Sequence, residues 1–345
     1  MRPEAKGWCP GAFRPMMSGD GLIVRVRPRL AALTAAQLRA ICEGARRWGS
    51  GIIDLTNRAN LQLRGVGEAG HAPLLDLLAG AGLLDPDPAM EGRRNILTQP
   101  LWSTGDDTHR IAEELSTRLA ELPPLPAKFG FAIDAGPAPL LQGDPADIRV
   151  ERSAIGLILR ADGAARGVAV TAGEAVDRII EMARSFAATG ARRMADVAPE
   201  GAVPPLPPAA RPQGLGLPFG QTDADALDAV QGDIRVTPWR MILAAPAPGF
   251  LRADDPLLKA HACAGRPFCP AATVETRALA RRLAAHLPGV HVSGCAKGCA
   301  HSRPAPVTLV GREGRFDLVR SGRAWDTPAE TGLEPATILS RFGAD

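Results

Sequence analysis

Apolar and polar residues alternate at Leu22–Arg27 (LIVRVR), which predicts a strand. A helix should follow from Thr34 to Trp48. Leu38, Ile41, Cys42, Ala45 and Trp48 repeat on one face, Thr34 and Gln37 form a T-x-x-Q capping box, and Gly49 stops the run. Ile52–Thr56 (IIDLT) and Asn60–Arg64 (NLQLR) read as two more strands, so the chain opens as a β-α-β-β unit. Further on, the pattern predicts a helix over 108–122 and strands near 129–134, 147–150 and 154–160. A second helix is expected over 174–189, closed by Gly190.

The segment 198–213 (APEGAVPPLPPAARPQ) is proline-rich and reads as a stiff linker. Beyond it the first pattern returns in shortened form: a strand in GLGLPFG at 214–220, a short helix over 223–230 and paired strands over 233–244. DLTNRANLQL at 54–63 and RVTPWRMIL at 235–243 both place a threonine and a nearby arginine at a strand-to-strand turn. This predicts an internal pseudo-twofold repeat. A helix over 274–287 and strands near 290–292, 306–310 and 316–319 complete the expected elements.

Four of the six cysteines fall in the last of these segments. Cys263 and Cys269 lie in CAGRPFC, and Cys295 and Cys299 in CAKGC. Structural zinc favours tighter pairs, and disulfides need an oxidising compartment, for which MRPEAKGWCPG shows no secretory pattern. Two thiolate pairs brought together by the fold suit an iron–sulfur cluster. Pro270 and the small residues Gly294, Ala296, Gly298 and Ala300 would let backbone N–H groups approach the sulfurs. Cys42 is expected on a buried helix face as a small hydrophobe, and no partner can be assigned to Cys9.

Composition adds exclusions. With 40 basic against 37 acidic residues, the net charge of +3 makes no case for nucleic acid. No apolar run reaches the roughly 18 residues of a membrane span. Tyrosine is absent, so no Tyr general acid is available. The arginines fall on strands to an unusual degree. Asn60, Gln62 and Arg64 share one strand face with Arg58 at its entrance, Arg25 and Arg27 share another, and Arg93, Arg94 and Asn95 cluster in GRRNI. Arginine forks suit carboxylates, so such a set would suit a ligand carrying many of them.

LTNRANLQLRG, GRRNI, PAKFG and the C-x5-C…C-x3-C pattern, in that order, resemble the sirohaem-dependent sulfite and nitrite reductases over nearly the whole chain. The N-terminal WCPGAFRPMMSGDGLIVRVRP points to their precorrin-3B synthase branch. The resemblance implies an α+β fold of two ferredoxin-like half-domains related by a pseudo-twofold, with α/β cluster- and cofactor-binding domains. The expected divisions are 1–88 for the first half-domain, 89–197 for a middle domain, 198–213 for the linker, 214–250 for a trimmed second half-domain and 251–345 for the cluster domain.

It implies O2-dependent hydroxylation of precorrin-3A at C-20 with lactone formation, in aerobic cobalamin biosynthesis. Cys263, Cys269, Cys295 and Cys299 would hold a [4Fe-4S] cluster fed by an NADH-linked or ferredoxin-type donor, in the cytoplasm. An additional mononuclear non-haem iron is implied too, with no ligands that the sequence names. Arg58, Arg94 and Lys128 carry over as catalytic cations, and Arg25, Arg27, Asn60, Gln62, Arg64, Arg93 and Arg240 as substrate-binding residues. One departure matters: the reductases usually carry a second lysine two positions after Lys128, and here Gly130 stands there. The alternatives are a sirohaem-dependent nitrite or sulfite reductase, which needs bound sirohaem, and a non-catalytic electron carrier or tetrapyrrole-binding module.

Overall fold

The computed structural model describes residues 10–344, so Trp8 and Cys9 lie outside the described residues. The fold is α+β, with four sheets among the described residues. In the first, strands Met16–Ser18, Gly21–Val26, Leu61–Val66 and Ile52–Leu55 lie side by side, and a fifth strand, Gln221–Asp223, is added from much later in the chain. The second sheet returns the exchange. Leu215–Gly216, Met241–Leu243 and Ile234–Val236 are joined at their edge by Ala32–Leu33. Each half thus lends its partner one short strand, which closes an edge that would otherwise be exposed.

The repeat is visible residue by residue. Leu30 and Phe219 occupy the left-handed region at equivalent bends (φ 53° and 57°), followed by Ala31 and Gly220 (φ 55° and 74°). Thr34 and Asp223 are equivalent helix N-caps. Thr34 forms the expected capping box with Gln37 and opens the helix Ala35–Trp48, whereas Asp223 opens only Ala224–Asp228. The turns that follow also match. Thr56 N donates to Asn60 O and Thr237 N to Met241 O. The Thr56 and Thr237 hydroxyls accept from Arg58 N and Trp239 N, and Ala59 and Arg240 both have positive φ (53° and 59°). The arginines are therefore not equivalent, although the paired sequences place one near each turn. Arg58 matches Trp239, and Arg240 matches Ala59.

The middle sheet runs Val168–Val170, Gly156–Ala161, Ile148–Ser153, Phe131–Asp134, Ile96–Thr98. Helices Asp107–Thr117 and Ala175–Thr189 cover it with Ile111, Leu115, Val176, Ile179 and Ile180, all buried. Gly190 ends the second helix in the left-handed region, as its position predicted. The proline-rich segment is no free spacer. Val203 bridges to Gly167 and Pro205 to Ser153, and Leu206 N and Ala209 N donate to Arg152 O and Pro139 O, so it lies along the middle sheet's side of the molecule.

The last sheet runs His261–Ala262, His291–Ser293, Ala305–Arg312, Arg315–Gly322, Glu330–Leu333. Its first three strands are parallel and the rest antiparallel. A helix over Glu68–Gly80, absent from the sequence reading, packs Leu74 and Leu78 into the first half's core. No helix among the described residues is long and apolar enough to cross a membrane.

Candidate functional site

Parallel pairing sets the cysteine loops side by side. His261 pairs with His291 and Ala262 with Val292, so both strands end at one edge and run straight into Cys263 and Gly294–Cys295. Loops at the carboxyl edge of parallel strands are a common place for ligands. Gly294 N donates to Cys263 Sγ at 3.1 Å, Thr276 Oγ1 to Cys263 O at 2.7 Å and Ser293 Oγ to Cys295 O at 2.7 Å. A side chain at 294 would collide with Ala272, 2.6 Å from an added Cβ.

Cys299 is exposed as a residue, yet local desolvation of its sulfur, and then the neighbouring Cys263, Cys295 and Cys269 thiols, push its thiol up. All four sulfurs therefore share one neighbourhood, and none is in a disulfide. This donor set fits a cluster, whose positive iron core would offset that mutual repulsion. Among the described residues no group of three or more His, Cys, Asp or Glu is placed to hold a single metal ion. A four-iron cluster spaces its thiolates wider than one ion does. The described residues thus fit a cluster, and among them no ligand set for a second, mononuclear iron is formed.

The polar sheet face lies against these loops. Register aligns Arg25 with Gln62, Gln62 with Asp54 and Asp54 with Gln221, in one row across four strands. Gln221 Nε2 donates to Asp54 Oδ1 at 2.8 Å, and Arg277 donates to Gln221 Oε1. Burial lowers the Arg277 guanidinium, and it feels the charges of Asp54, Arg64 and Cys263, so it joins the sheet face to the cysteines. The backbone of Phe268, beside Cys269, comes within 2.6 Å of a Cβ built on Gly19. Arg277, Gln221 and Asp54 were not singled out by sequence reasoning. Arg277 begins its own short helix, and only the repeat could have located Gln221.

The arginines expected to face a ligand divide into two groups. Arg25 and Asn60 are buried in or beside the row, with Gln62 half-buried among them. Arg58 is half-buried at the strand entrance, and its Nη2 donates to Lys128 O at 2.8 Å. Arg193 holds the same carbonyl at 3.2 Å, and the Lys128 side chain is exposed. Arg58 and Lys128 therefore come together.

The others are held by the protein. Arg64 binds Asp20 with Nε and Nη2 (both 2.9 Å), Asp54 with Nη1 (3.1 Å) and Ser18 with Nη2. Arg94, 6% exposed, holds Asp85 at 3.0 Å and donates to Arg27 O, while Arg27 donates to Glu91 O. Arg93 donates to Leu119 O and Leu122 O, away from Arg94's partners.

Arg240 departs furthest from expectation. It donates to Ala260 O and to His261 Nδ1 (2.8 Å), and burial pulls its guanidinium down to about 10. The left-handed backbone at Arg240 aims the side chain at the cysteine domain instead of the arginine row. His261 in turn stacks on His301, ring centroids 4.0 Å apart, and His291 meets His301 edge-on at 5.7 Å. His261 and His301 each lie two residues from a cysteine, so Arg240 anchors a stack that spans both cysteine loops.

The Nitrite/Sulfite reductase ferredoxin-like half domain family matches residues 14–81. A precorrin-3B synthase of Sinorhizobium sp is 32% identical over 98% of this chain and 88% of that protein. A ferredoxin–nitrite reductase of Leptolyngbya laminosa is 31% identical over 36% of this chain and 27% of that protein. The solved structure of the Mycobacterium tuberculosis NirA protein superposes on 90% of this chain and 77% of that one, with a TM-score of 0.63 and 18% identity. That superposition shows a shared fold.

Proposed function

Since the chain belongs to the precorrin-3B synthase family, oxidoreductase enzymes of the nitrite and sulfite reductase-like type that serve cobalamin biosynthesis, we propose that it hydroxylates precorrin-3A at C-20 with O2 and closes a lactone from an acetate arm. One oxygen atom would enter the tetrapyrrole and the other leave as water, with two electrons and two protons from an NADH-linked or ferredoxin-type donor in the cytoplasm. The observation that carries this reading is the meeting of four cysteine thiols with an arginine-bearing sheet face, joined through Arg277.

Cys263, Cys269, Cys295 and Cys299 would hold a [4Fe-4S] cluster, whose chemistry is one-electron transfer toward the bound tetrapyrrole. Arg25, Arg58 and Lys128, with Asn60 and Gln62, would orient the substrate's carboxylates. Arginine contributes a bidentate fork where lysine contributes a point charge. Arg64, Arg94 and Arg27 would act one step back, by fixing the acidic residues and backbone on which this face rests. Arg93 and Arg240 would brace the middle sheet and the cysteine loops. No step is assigned to a second iron.

Position 130 supports the synthase reading over reduction of nitrite or sulfite. A reductase would use a cation there beside a developing oxyanion, a contribution of several kcal/mol. In this chain no lysine ammonium stands there; the group over Gly130 is the Arg58 guanidinium, which is turned to the Lys128 carbonyl.

The test is a turnover with precorrin-3A, a reductant and isotopically heavy O2. Incorporation of one heavy oxygen atom into the tetrapyrrole is expected. Efficient reduction of nitrite or sulfite, with no oxygen incorporation, would refute the reading.

A further inference from the structure

The exchange of strands creates two junctions, and the second one has a cavity of its own. Gln221–Asp223 against Ile52–Asp54 is the junction beside the cysteines. Its counterpart, Ala32–Leu33 against Ile234–Arg235, borders a cavity of about 410 Å3. Arg235 pairs in register with Ala32 as Asp54 does with Gln221, so Arg235 is the counterpart of Asp54. The two positions differ in charge and in occupation. Both oxygens of Asp54 are taken, by Gln221 and Arg64. The Arg235 guanidinium lies 3.5 Å from the centre of the Trp102 ring. Its N–H groups make no hydrogen bond to any described residue.

The platform beneath it is fixed. Trp102 Nε1 donates to Leu30 O at 2.8 Å, and Leu30 sits in the left-handed bend that starts the exchange. Arg29, about half exposed, adds a second guanidinium to the wall while holding Asp85 at 3.0 Å. Leu33 and Leu83, both nearly fully buried, close the cavity's apolar floor. The wall also contains Asp233, whose Oδ1 accepts from Ala35 N at 2.9 Å at the helix start. A cavity of this size suits a small molecule. A flat cation backed by an indole leaves its N–H edge for a planar, bidentate acceptor. Burial lowers the Arg235 guanidinium more than the charge of nearby Asp233 raises it, so Asp233 offsets only part of the cation's desolvation and a carboxylate still gains from pairing with it.

We propose that this cavity is a second binding site, for an organic carboxylate, with Arg235 as its fork and Trp102 as its platform. The carboxylate's body lies along Leu33 and Leu83, and Arg29 supplies the second cation. The site is separate from the cysteine-side cleft and does not depend on the reaction assigned there. The carboxylate has two sources, a free small acid or one arm of a tetrapyrrole.

Calorimetric titration of the full chain at constant ionic strength separates them, with benzoate in one arm and uroporphyrin, an octacarboxylate, in the other. Saturable benzoate binding is expected, weakened about tenfold or more by Arg235→Gln, as loss of a charge-assisted pair implies. Trp102→Phe should weaken it less, and Arg58→Ala should leave it unchanged. Arg235 dependence with uroporphyrin alone would assign the site to a tetrapyrrole arm. Cluster absorption and melting temperature, followed in parallel, should not move in Arg235→Gln. If neither probe binds saturably, or if both bind a folded Arg235→Gln protein as tightly as the parent, the proposal is overturned.

Discussion

A Cβ built on Gly130 lies 2.7 Å from Nη1 of Arg58 and 3.0 Å from the carbonyl of Asn95. Glycine is therefore what allows Arg58 to reach across and donate to the Lys128 carbonyl. The arginine's end is flexible, but the Asn95 backbone is not. Gly130→Ala should displace Arg58 and raise KM for the tetrapyrrole several-fold while the chain stays folded. Gly130→Lys should be worse. Steady-state kinetics beside a melting curve checks this, and an unchanged KM in Gly130→Lys would show that Arg58 does not orient substrate.

Arg240→Ala removes the anchor of the His261–His301 stack and leaves the Ala260 carbonyl without its donor. The expected result is a fold that survives with fewer iron and sulfide atoms per chain, or a cluster spectrum that decays faster in air. Arg240→Lys should rescue little, because an ammonium does not reproduce the fork. Full cluster retention in Arg240→Ala would remove this bracing role.

Arg64→Ala should act mainly on stability. It strips Asp20 and Asp54 of a cation that is itself largely buried, 11% side-chain exposed. Breaking a pair of this kind costs about 3 kcal/mol. A clear fall in melting temperature is expected in the absence of any ligand. A variant as stable as the parent would mean that Arg64 is not a brace for this face.

Asp134 gives a pH signature. It is fully buried and accepts from Leu140 N, Leu141 N and Gln99, yet burial lifts its carboxyl to about 6. The folded value lies above the ordinary 3.8, so between about 4 and 6 the folded chain holds a proton that the unfolded chain has released. Stability then falls as pH rises through that window and levels off above it. The shift corresponds to about 3 kcal/mol at neutral pH. The stability difference between the parent and Asp134→Asn should change by that order across the window. A flat difference would contradict the raised value.

What the sequence could reveal follows from how local each signal is. The capping box at Thr34 and Gln37 and the alternation of NLQLR act within a few residues, and both appear in the structure. The cysteine spacing was legible for the same reason. The helix Glu68–Gly80 was hidden because Leu74, Leu75, Leu77 and Leu78 leave no polar stripe and Pro73 interrupts it. The exchanged strands Ala32–Leu33 and Gln221–Asp223 are too short to show a period. The roles of the arginines depended on distant acids. Nothing beside Arg94 marks its bond to Asp85 as different from the exposed reach of Lys128, and nothing in RVTPWRM shows that Arg240 stands where the first repeat has Ala59.

Anaerobic purification, followed by iron and sulfide analysis and acid–acetone extraction of any tetrapyrrole, bears most directly on the central claim. The account predicts about four irons and four sulfides per chain, lost in Cys269→Ser, with no extractable sirohaem, so that the cleft is open to precorrin-3A. Stoichiometric sirohaem, or a colourless protein that cannot be reconstituted with iron and sulfide, would contradict it.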